Sequence, residues 1–403
     1  MNLTDRHITH FDLDAFFVAV ECLKNARFKN KPLLVGGSGD RAVVAACSYE
    51  ARKFGIYSAM PMRMAKKLCP EAIVISGDME SYSKYSRDVT DIIANSVPLY
   101  EKSSIDEFYI DLSGMEKYFG SRLFSSELKT KITKETGLSI SFGLSSNKLI
   151  SKVATNEAKP DGQIEIPYGQ EKNFIAPLAV EKLPGIGKER AELLYQMGVE
   201  TIRTLSLVPV EGLYKTLGKE GVELSRKANG IDETPVIPYR EQKSISTERT
   251  FQTDTINIEF LHSVLVRMTE EIAFELRKQN KLTGCVTVKL RYSNFDTMTK
   301  QSVIPYTAAD HILLKVAREL FDKLFERRML IRLLGIRFTH LIPGNYQINL
   351  FEDSQETIRL YQAIDSVKHR FGPGMLRRAR AIIPQRVILP ANPGGNRPGY
   401  KPK

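Results

Sequence analysis

The sequence predicts an α+β protein of several domains, and three observations carry that prediction. Residues up to about 170 mix short strands and helices without the regular βα alternation of a parallel sheet. Residues 171–233 are helical on both sides of a Leu183-Pro-Gly-Ile-Gly187 break. Residues 244–342 run strand, helix, strand, strand, helix, strand, the order of a ferredoxin-like unit. A chain of 403 residues is also too long for one compact core.

The first element, His7-Ile-Thr-His-Phe-Asp-Leu-Asp-Ala-Phe-Phe-Val-Ala-Val20, begins as a strand and turns helical near Ala15. Asp12 and Asp14 lie two apart, so they share a face if both belong to the strand. The ordinary alternative makes Asp14 the helix cap and Phe16 and Phe17 plain core. Strands follow at Pro32-Leu-Leu-Val-Gly-Gly37 and Ala42-Val-Val-Ala-Ala-Cys-Ser48, then a helix from about Tyr49. A strand end that opens a helix at Tyr49 offers free N–H groups to a phosphate, and Arg52 would add a forked, permanently charged clamp.

Leu99-Tyr-Glu-Lys-Ser-Ser-Ile-Asp-Glu-Phe-Tyr-Ile-Asp-Leu112 sets two adjacent acids between alternating runs, flanked by helices at 79–97 and 121–136. Adjacent side chains on an unbroken strand diverge, so a bend at Ser104-Ile105 is needed for Asp106 and Glu107 to converge. Acids beside Ile105, Phe108 and Ile110 are costly to desolvate unless a cation or a proton shares them. Asp12 supplies a third carboxylate, and hard oxygen donors without a Cys/His cluster favour Mg²⁺ over zinc. A solvated hairpin turn is the ordinary alternative.

Leu138-Ser-Ile-Ser-Phe-Gly-Leu144 alternates as a strand, and Asn147-Lys148 opens a helix to Ala158 that Lys159-Pro-Asp-Gly162 breaks. In the helical block, Gly185 and Gly187 permit a tight turn and close approach of backbone N–H groups to a phosphate, with Lys188 adding charge. Thr234–Lys243 carries two prolines and reads as an extended tether. Residues 244–342 hold 15 Lys/Arg against 11 Asp/Glu, so only their distribution can make a basic face. Arg249, Lys289, Arg291, Lys300, Arg332 and Arg337 fall on the expected strands.

The net charge of +11 is weaker than it looks: nine Lys/Arg and no Asp/Glu lie beyond residue 365, leaving +2 for the rest. The start lacks a signal pattern and no apolar run has membrane length, which predicts a soluble, cytoplasmic protein. Cys22, Cys47, Cys69 and Cys285 have no metal-type spacing and read as reduced core thiols.

Phe11-Asp-Leu-Asp-Ala-Phe-Phe17, Ser48-Tyr-Glu-Ala-Arg-Lys-Phe-Gly55, Ser104-Ile-Asp-Glu107 and Leu183-Pro-Gly-Ile-Gly187 occur in this order. The set, covering about residues 5–342, resembles the Y-family of translesion DNA polymerases, in its DinB-like (DNA polymerase IV) branch. The resemblance implies a right-hand polymerase: palm (1–18 and 77–170), fingers (19–76), helix-hairpin-helix thumb (171–233), linker (234–243), ferredoxin-like little finger (244–342) and tail (343–403). It implies low-fidelity, template-directed synthesis without a proofreading exonuclease, by a monomer acting on primer–template DNA and dNTPs.

The same resemblance makes Asp12, Asp106 and Glu107 catalytic, holding two Mg²⁺ ions together with the Leu13 carbonyl. It makes Phe16, Phe17, Tyr49, Arg52 and Lys159 dNTP contacts, with Phe17 the steric gate against a 2′-hydroxyl. Gly185, Gly187 and Lys188 become DNA contacts. Gln347-Ile-Asn-Leu-Phe351 resembles a sliding-clamp peptide, with Gln347, Leu350 and Phe351 its anchors. Ala46 departs from the family pattern, which often has a Ser or Thr hydroxyl there for the triphosphate. The rivals are a catalytically silent DNA- or clamp-binding relative and another two-metal palm enzyme such as a nucleotide cyclase. The intact acids oppose the first, and the hairpin, little finger and clamp peptide oppose the second.

Overall fold

A computed structural model of the chain describes residues 6–115, 120–238, 241–327, 329–344, 355–372 and 374–381. The peptide at 347–351 and all residues after 381 lie outside the described residues. Two compact units result: residues 1–38 with 43–240, and residues 39–42 with 241–403.

The first unit opens with strand β1 (Ile8–Leu13) and helix α1 (Phe16–Lys24). Next come β2 (Leu33–Gly36), β3 (Val44–Cys47), α2 (Tyr49–Arg52), α3 (Met62–Leu68) and β4 (Ile73–Ile75). Then follow α4 (Met79–Ala94), β5 (Tyr100–Lys102), β6 (Glu107–Asp111), α5 (Ser121–Thr136), β7 (Ile140–Ser145), α6 (Lys148–Ala158) and β8 (Gln163–Glu165). The main sheet has the order β5-β6-β1-β7-β8, which puts β1 at its centre. Helices cover both faces: Thr9 meets Ser125 of α5 at 3.0 Å on one, and His10 meets Thr155 of α6 at 2.9 Å on the other. Every residue of β1 is therefore buried, although its sequence alternates. Phe11, Leu13, Phe108, Ile110 and Phe142 pack with Val89, Ile93, Leu128 and Ile132 of α4 and α5.

β3, β2 and β4 form a small second sheet, with β4 parallel to β2. Sequence reading expected a helix from Tyr49 and missed β4, because three residues are too few to display an alternation. The helix at Tyr49 is a single turn, and Ser48 Oγ already accepts the Ala51 N–H at 3.2 Å. One N–H of that turn is therefore taken by Ser48 and not left free.

The helical block comprises α7 (Glu171–Ile175), α8 (Lys188–Gln196), α9 (Ile202–Leu207), α10 (Val210–Leu217) and α11 (Lys219–Ala228) around Leu183, Ile186, Leu194, Leu205, Leu213 and Leu224. Before the hairpin there is only a 3₁₀ turn, Val180–Lys182, since Leu183 precedes a proline and is held extended. The stretch after α11 is fastened down. Asp232 accepts the Leu149 N–H at 3.0 Å, Glu101 accepts the Ile237 N–H at 2.9 Å, and Val236 is buried with Ile8 and Tyr109.

The second unit runs β9 (Ser244–Thr255), α12 (Ile258–Lys278), β10 (Lys281–Tyr292), β11 (Thr297–Thr307), α13 (Asp310–Leu324) and β12 (Ile331–Pro343). Its antiparallel sheet has the order β11-β10-β12-β9, and both helices pack on one face. Lys289, Arg291 and Arg337 alternate with core residues and so belong to the other face. Arg249 does not: it reaches Glu271 of α12 at 2.6 Å, on the helical side. The tail helix α14 (Gln355–Phe371) docks on this helical layer through Asp365, which accepts from Arg277 Nε at 2.6 Å and Nη2 at 2.8 Å. All four cysteines are unpaired thiols, and three are buried.

Candidate active site

The three acids lie near one another, on the end of β1 and on the hairpin strand and turn beside it. Asp12 and Glu107 are register partners on adjacent antiparallel strands, so their side chains share a face. Asp106 sits at the hairpin turn, where its carbonyl accepts the Leu13 N–H at 3.1 Å. Ser104 Oγ builds the bend: it accepts from the N–H of Glu107 at 3.1 Å and donates to Asp106 Oδ1 at 2.6 Å. The expected kink at Ser104-Ile105 is present, and a serine side chain makes it.

α6 and the residue that follows it bring two lysines to these acids. Lys152 Nζ donates to both carboxylate oxygens of Glu107 at 2.8 Å. Lys159 Nζ contacts Asp12 Oδ1 and lies 3.4 Å from the Leu13 carbonyl. Burial raises the Asp12 carboxyl to about 6, the Lys159 charge and hydrogen bond work against the rise, and Asp106 and Glu107 add to it. Next to the acids, His10 is fully buried, and burial followed by the charges of Lys152, Lys159 and Lys148 keeps it neutral.

As donors for a metal, these groups are chemically apt: three carboxylates and a backbone carbonyl, all hard oxygens. One cation, the Lys159 ammonium, already lies at the Asp12 and Leu13 oxygens. Among the described residues, no three His, Cys, Asp or Glu side chains are gathered closely enough to hold an ion as they stand. The acids fit the ion chemically, but Asp12 and Glu107 are held by lysines and Asp106 by Ser104.

Asp14 is neither a helix cap nor a fourth member of the acid group. Ser139 donates to it at 2.6 Å, Ser141 at 2.9 Å and the Asp161 N–H at 2.8 Å, so it ties β1 and β7 to the turn that carries Lys159. Ala15 takes a left-handed conformation, φ 43°, and aims the start of α1 at the site. There the Phe17 ring stacks on Tyr82, with centroids 4.3 Å apart, and the Tyr82 hydroxyl donates to Glu21 at 2.7 Å. Tyr49 reaches Asp14 at 3.4 Å, and the Arg52 guanidinium lies over the Tyr49 ring at 4.5 Å.

In the hairpin, Gly185 has φ +102°, and a side chain at Gly187 would meet nothing within 4 Å. Lys188 is exposed beside it. Sequence reading missed Lys152 and Tyr82, and it placed the bend at Ser104 without the side-chain bonds that make it. A signal for Lys152 existed: Lys148 and Lys152 stand four apart on one face of α6, and Lys159 follows its last residue.

Comparison with known proteins identifies the family. The model of the impB/mucB/samB family matches residues 11–156, and that of its C-terminal domain matches residues 242–350. A DNA polymerase IV of Dehalococcoides mccartyi is 38% identical over 379 residues, 93% of this chain and 97% of its own length. One from Listeria innocua is 36% identical over 347 residues, 85% of this chain and 98% of its own. The solved structure of a Y-family DNA polymerase chimera superposes with a TM-score of 0.73 at 25% identity, covering 84% of this chain and 100% of that one. The chain belongs to the DNA polymerase IV branch of the Y-family, the translesion DNA-directed DNA polymerases. Its fold is accordingly the α+β right-hand polymerase with palm, fingers, thumb and little finger. Among the described residues no helix is long and apolar enough to cross a membrane.

Proposed function

We propose that this polymerase extends a primer on a template at low fidelity by two-metal catalysis, without proofreading. The pairing of Asp12 with Glu107 in register, next to Asp106 at the turn, carries the reading. The primer 3′-hydroxyl oxygen forms the new bond to the α-phosphorus of a dNTP, pyrophosphate leaves, and the hydroxyl proton is lost. Asp12, Asp106 and the Leu13 carbonyl would hold one Mg²⁺, and Asp12, Asp106 and Glu107 the other; bound there, the pair lowers the hydroxyl pKa and offsets charge at phosphorus.

The chain's own residues supply position. Residues 1–18 and 77–170 serve as palm, 19–76 as fingers, 171–233 as thumb, 234–243 as linker and 244–342 as little finger. Phe17 lies under the sugar and excludes a 2′-hydroxyl, while the N–H groups of Phe16 and Phe17 face the phosphates. Tyr49 and Arg52 contact the triphosphate, and Lys159 transfers its ammonium from Asp12 to that same anion, freeing the Asp12 oxygen. Gly185, Gly187 and Lys188 follow the duplex backbone without reading sequence. Gln347, Leu350 and Phe351, in the tail 343–403, tether the enzyme to a sliding clamp. The enzyme works as a cytoplasmic monomer.

The test is primer extension with Mg²⁺, comparing wild type with Glu107→Ala and confirming both folds by circular dichroism. Extension lost only in the variant supports the acidic site. A folded wild type that binds primer–template and never extends it would overturn polymerase chemistry.

A further inference from the structure

The sheet-facing stripe of α6 is cationic, and each of its lysines has an acidic partner on the palm sheet. Lys148 binds Glu101 at 2.6 Å, and the two side chains are 10% and 4% exposed. That pair lies beneath the site and also accepts the Ile237 N–H, so its role is to hold the fold. Lys152 and Glu107 differ: their side chains are 27% and 21% exposed, and they stand where the acids open to solvent. Lys152 Nζ is equidistant from Oε1 and Oε2, so both oxygens of Glu107 are engaged by one ammonium. A second cation that reaches Glu107 must share those oxygens with the ammonium, and the two positive charges repel each other there. The acids, meanwhile, are not gathered closely enough to bind an ion as they stand.

We infer that Lys152 is a positioning residue that holds Glu107 in a parked orientation and competes with a divalent cation for its carboxylate. The inference rests on the proposed acidic metal site and adds a control to it. Asp12 and Asp106 remain able to collect a nucleotide-borne ion once Lys159 has turned to the phosphates. Glu107 joins only when a second cation outcompetes Lys152. The lysine thus keeps three carboxylates from repelling one another before substrate arrives, and it sets a threshold for completing the site. Residue type matters here. A flexible ammonium on a four-carbon stem can let go, whereas a guanidinium would fork onto both oxygens and hold them.

The test uses Mn²⁺ alone, without DNA or nucleotide, with binding followed by loss of the free-ion EPR signal. Lys152→Gln should bind Mn²⁺ about fivefold more tightly than wild type, the scale of a partly exposed ion pair. Lys152→Arg should bind it more weakly than wild type. In a Glu107→Gln background, Lys152→Gln should add no gain, because the lysine acts through that carboxylate. Equal or weaker binding by Lys152→Gln, or a gain that persists without Glu107, overturns the inference. Should Lys152→Gln fail to fold by circular dichroism, Lys152→Arg decides, and binding at or above the wild-type level overturns the inference. Asp106→Ala separates the two readings. Mn²⁺ binding lost in Asp106→Ala but unmoved by Lys152→Gln refutes the latch alone; binding unmoved by Asp106→Ala refutes the metal site and the latch with it.

Discussion

Asp12 meets two opposed demands. The proposed ligand role needs it ionised, yet it is 7% exposed with two other carboxylates close by. Burial wins over Lys159, and the carboxyl rises from 3.8 to about 6. Between those values the folded chain binds a proton that the unfolded chain does not, so this group's contribution to stability declines as pH rises through that window. In EDTA at pH 7, Asp12→Asn should be more stable than wild type by on the order of 1–2 kcal/mol. At pH 4 the difference should vanish, and urea melts at the two pH values will show whether it does. Phe17 poses a steric question instead. Its ring is fixed by stacking on Tyr82, which is fully buried and anchored on Glu21 of the same α1 helix. Phe17→Ala should raise ribonucleotide incorporation on the order of 10–100-fold while dNTP use persists. Unchanged sugar selectivity in single-nucleotide assays would remove Phe17 from the gate.

α6 is the element on which the site depends, and it reaches the sheet over a glycine. A side chain at Gly143 would stand 2.3 Å from the Ser151 carbonyl and 2.6 Å from the Thr155 nitrogen, backbone that cannot yield. Gly143→Ala should therefore lift α6, move Lys152 and Lys159 off their acids, and cost about 2–3 kcal/mol. Denaturation midpoints and extension rates should fall together; a loss of stability with full activity would separate α6 from the chemistry. The boundaries of α6 were legible because Asn147 caps it, accepting the Ile150 N–H at 2.9 Å, and Lys159-Pro-Asp-Gly162 ends it. α5 and the long elements of the second unit were legible for the same reason: their patterns are long enough to show a period. β4 and the one-turn helix at Tyr49 were not, since neither is. The acids could be read as a local motif, whereas their lysine partners lie 45 and 147 positions away and are set by tertiary packing.

Across the whole chain, the charge excess sits in the tail, and the structure puts part of that tail to structural use. Arg378 pairs with Glu270 of α12 at 2.9 Å, Lys368 is buried, and Tyr361 of α14 is bonded to His311 at 2.8 Å. Arg277 forms the hub, sharing Asp365 of the tail and Asp310 of α13 in a place where its side chain is 5% exposed. Two deletions therefore differ in kind. Removing residues 347–351 should abolish stimulation by a sliding clamp and leave basal extension and the protection of α12 unchanged; persisting stimulation would exclude this peptide as the tether. Ending the chain after Gly344 should do more. It takes Asp365 from a buried guanidinium, at a cost of about 1–3 kcal/mol. It also uncovers Phe274, which His369 packs against with ring centroids 5.0 Å apart. Amide exchange along Ile258–Lys278 should then quicken on the order of 10-fold or more, because each 1.4 kcal/mol of lost local stability is tenfold in the opening equilibrium. Exchange at the full-length rate would mean that α14 rests on this layer without stabilising it, leaving DNA or clamp contact as the use of the tail.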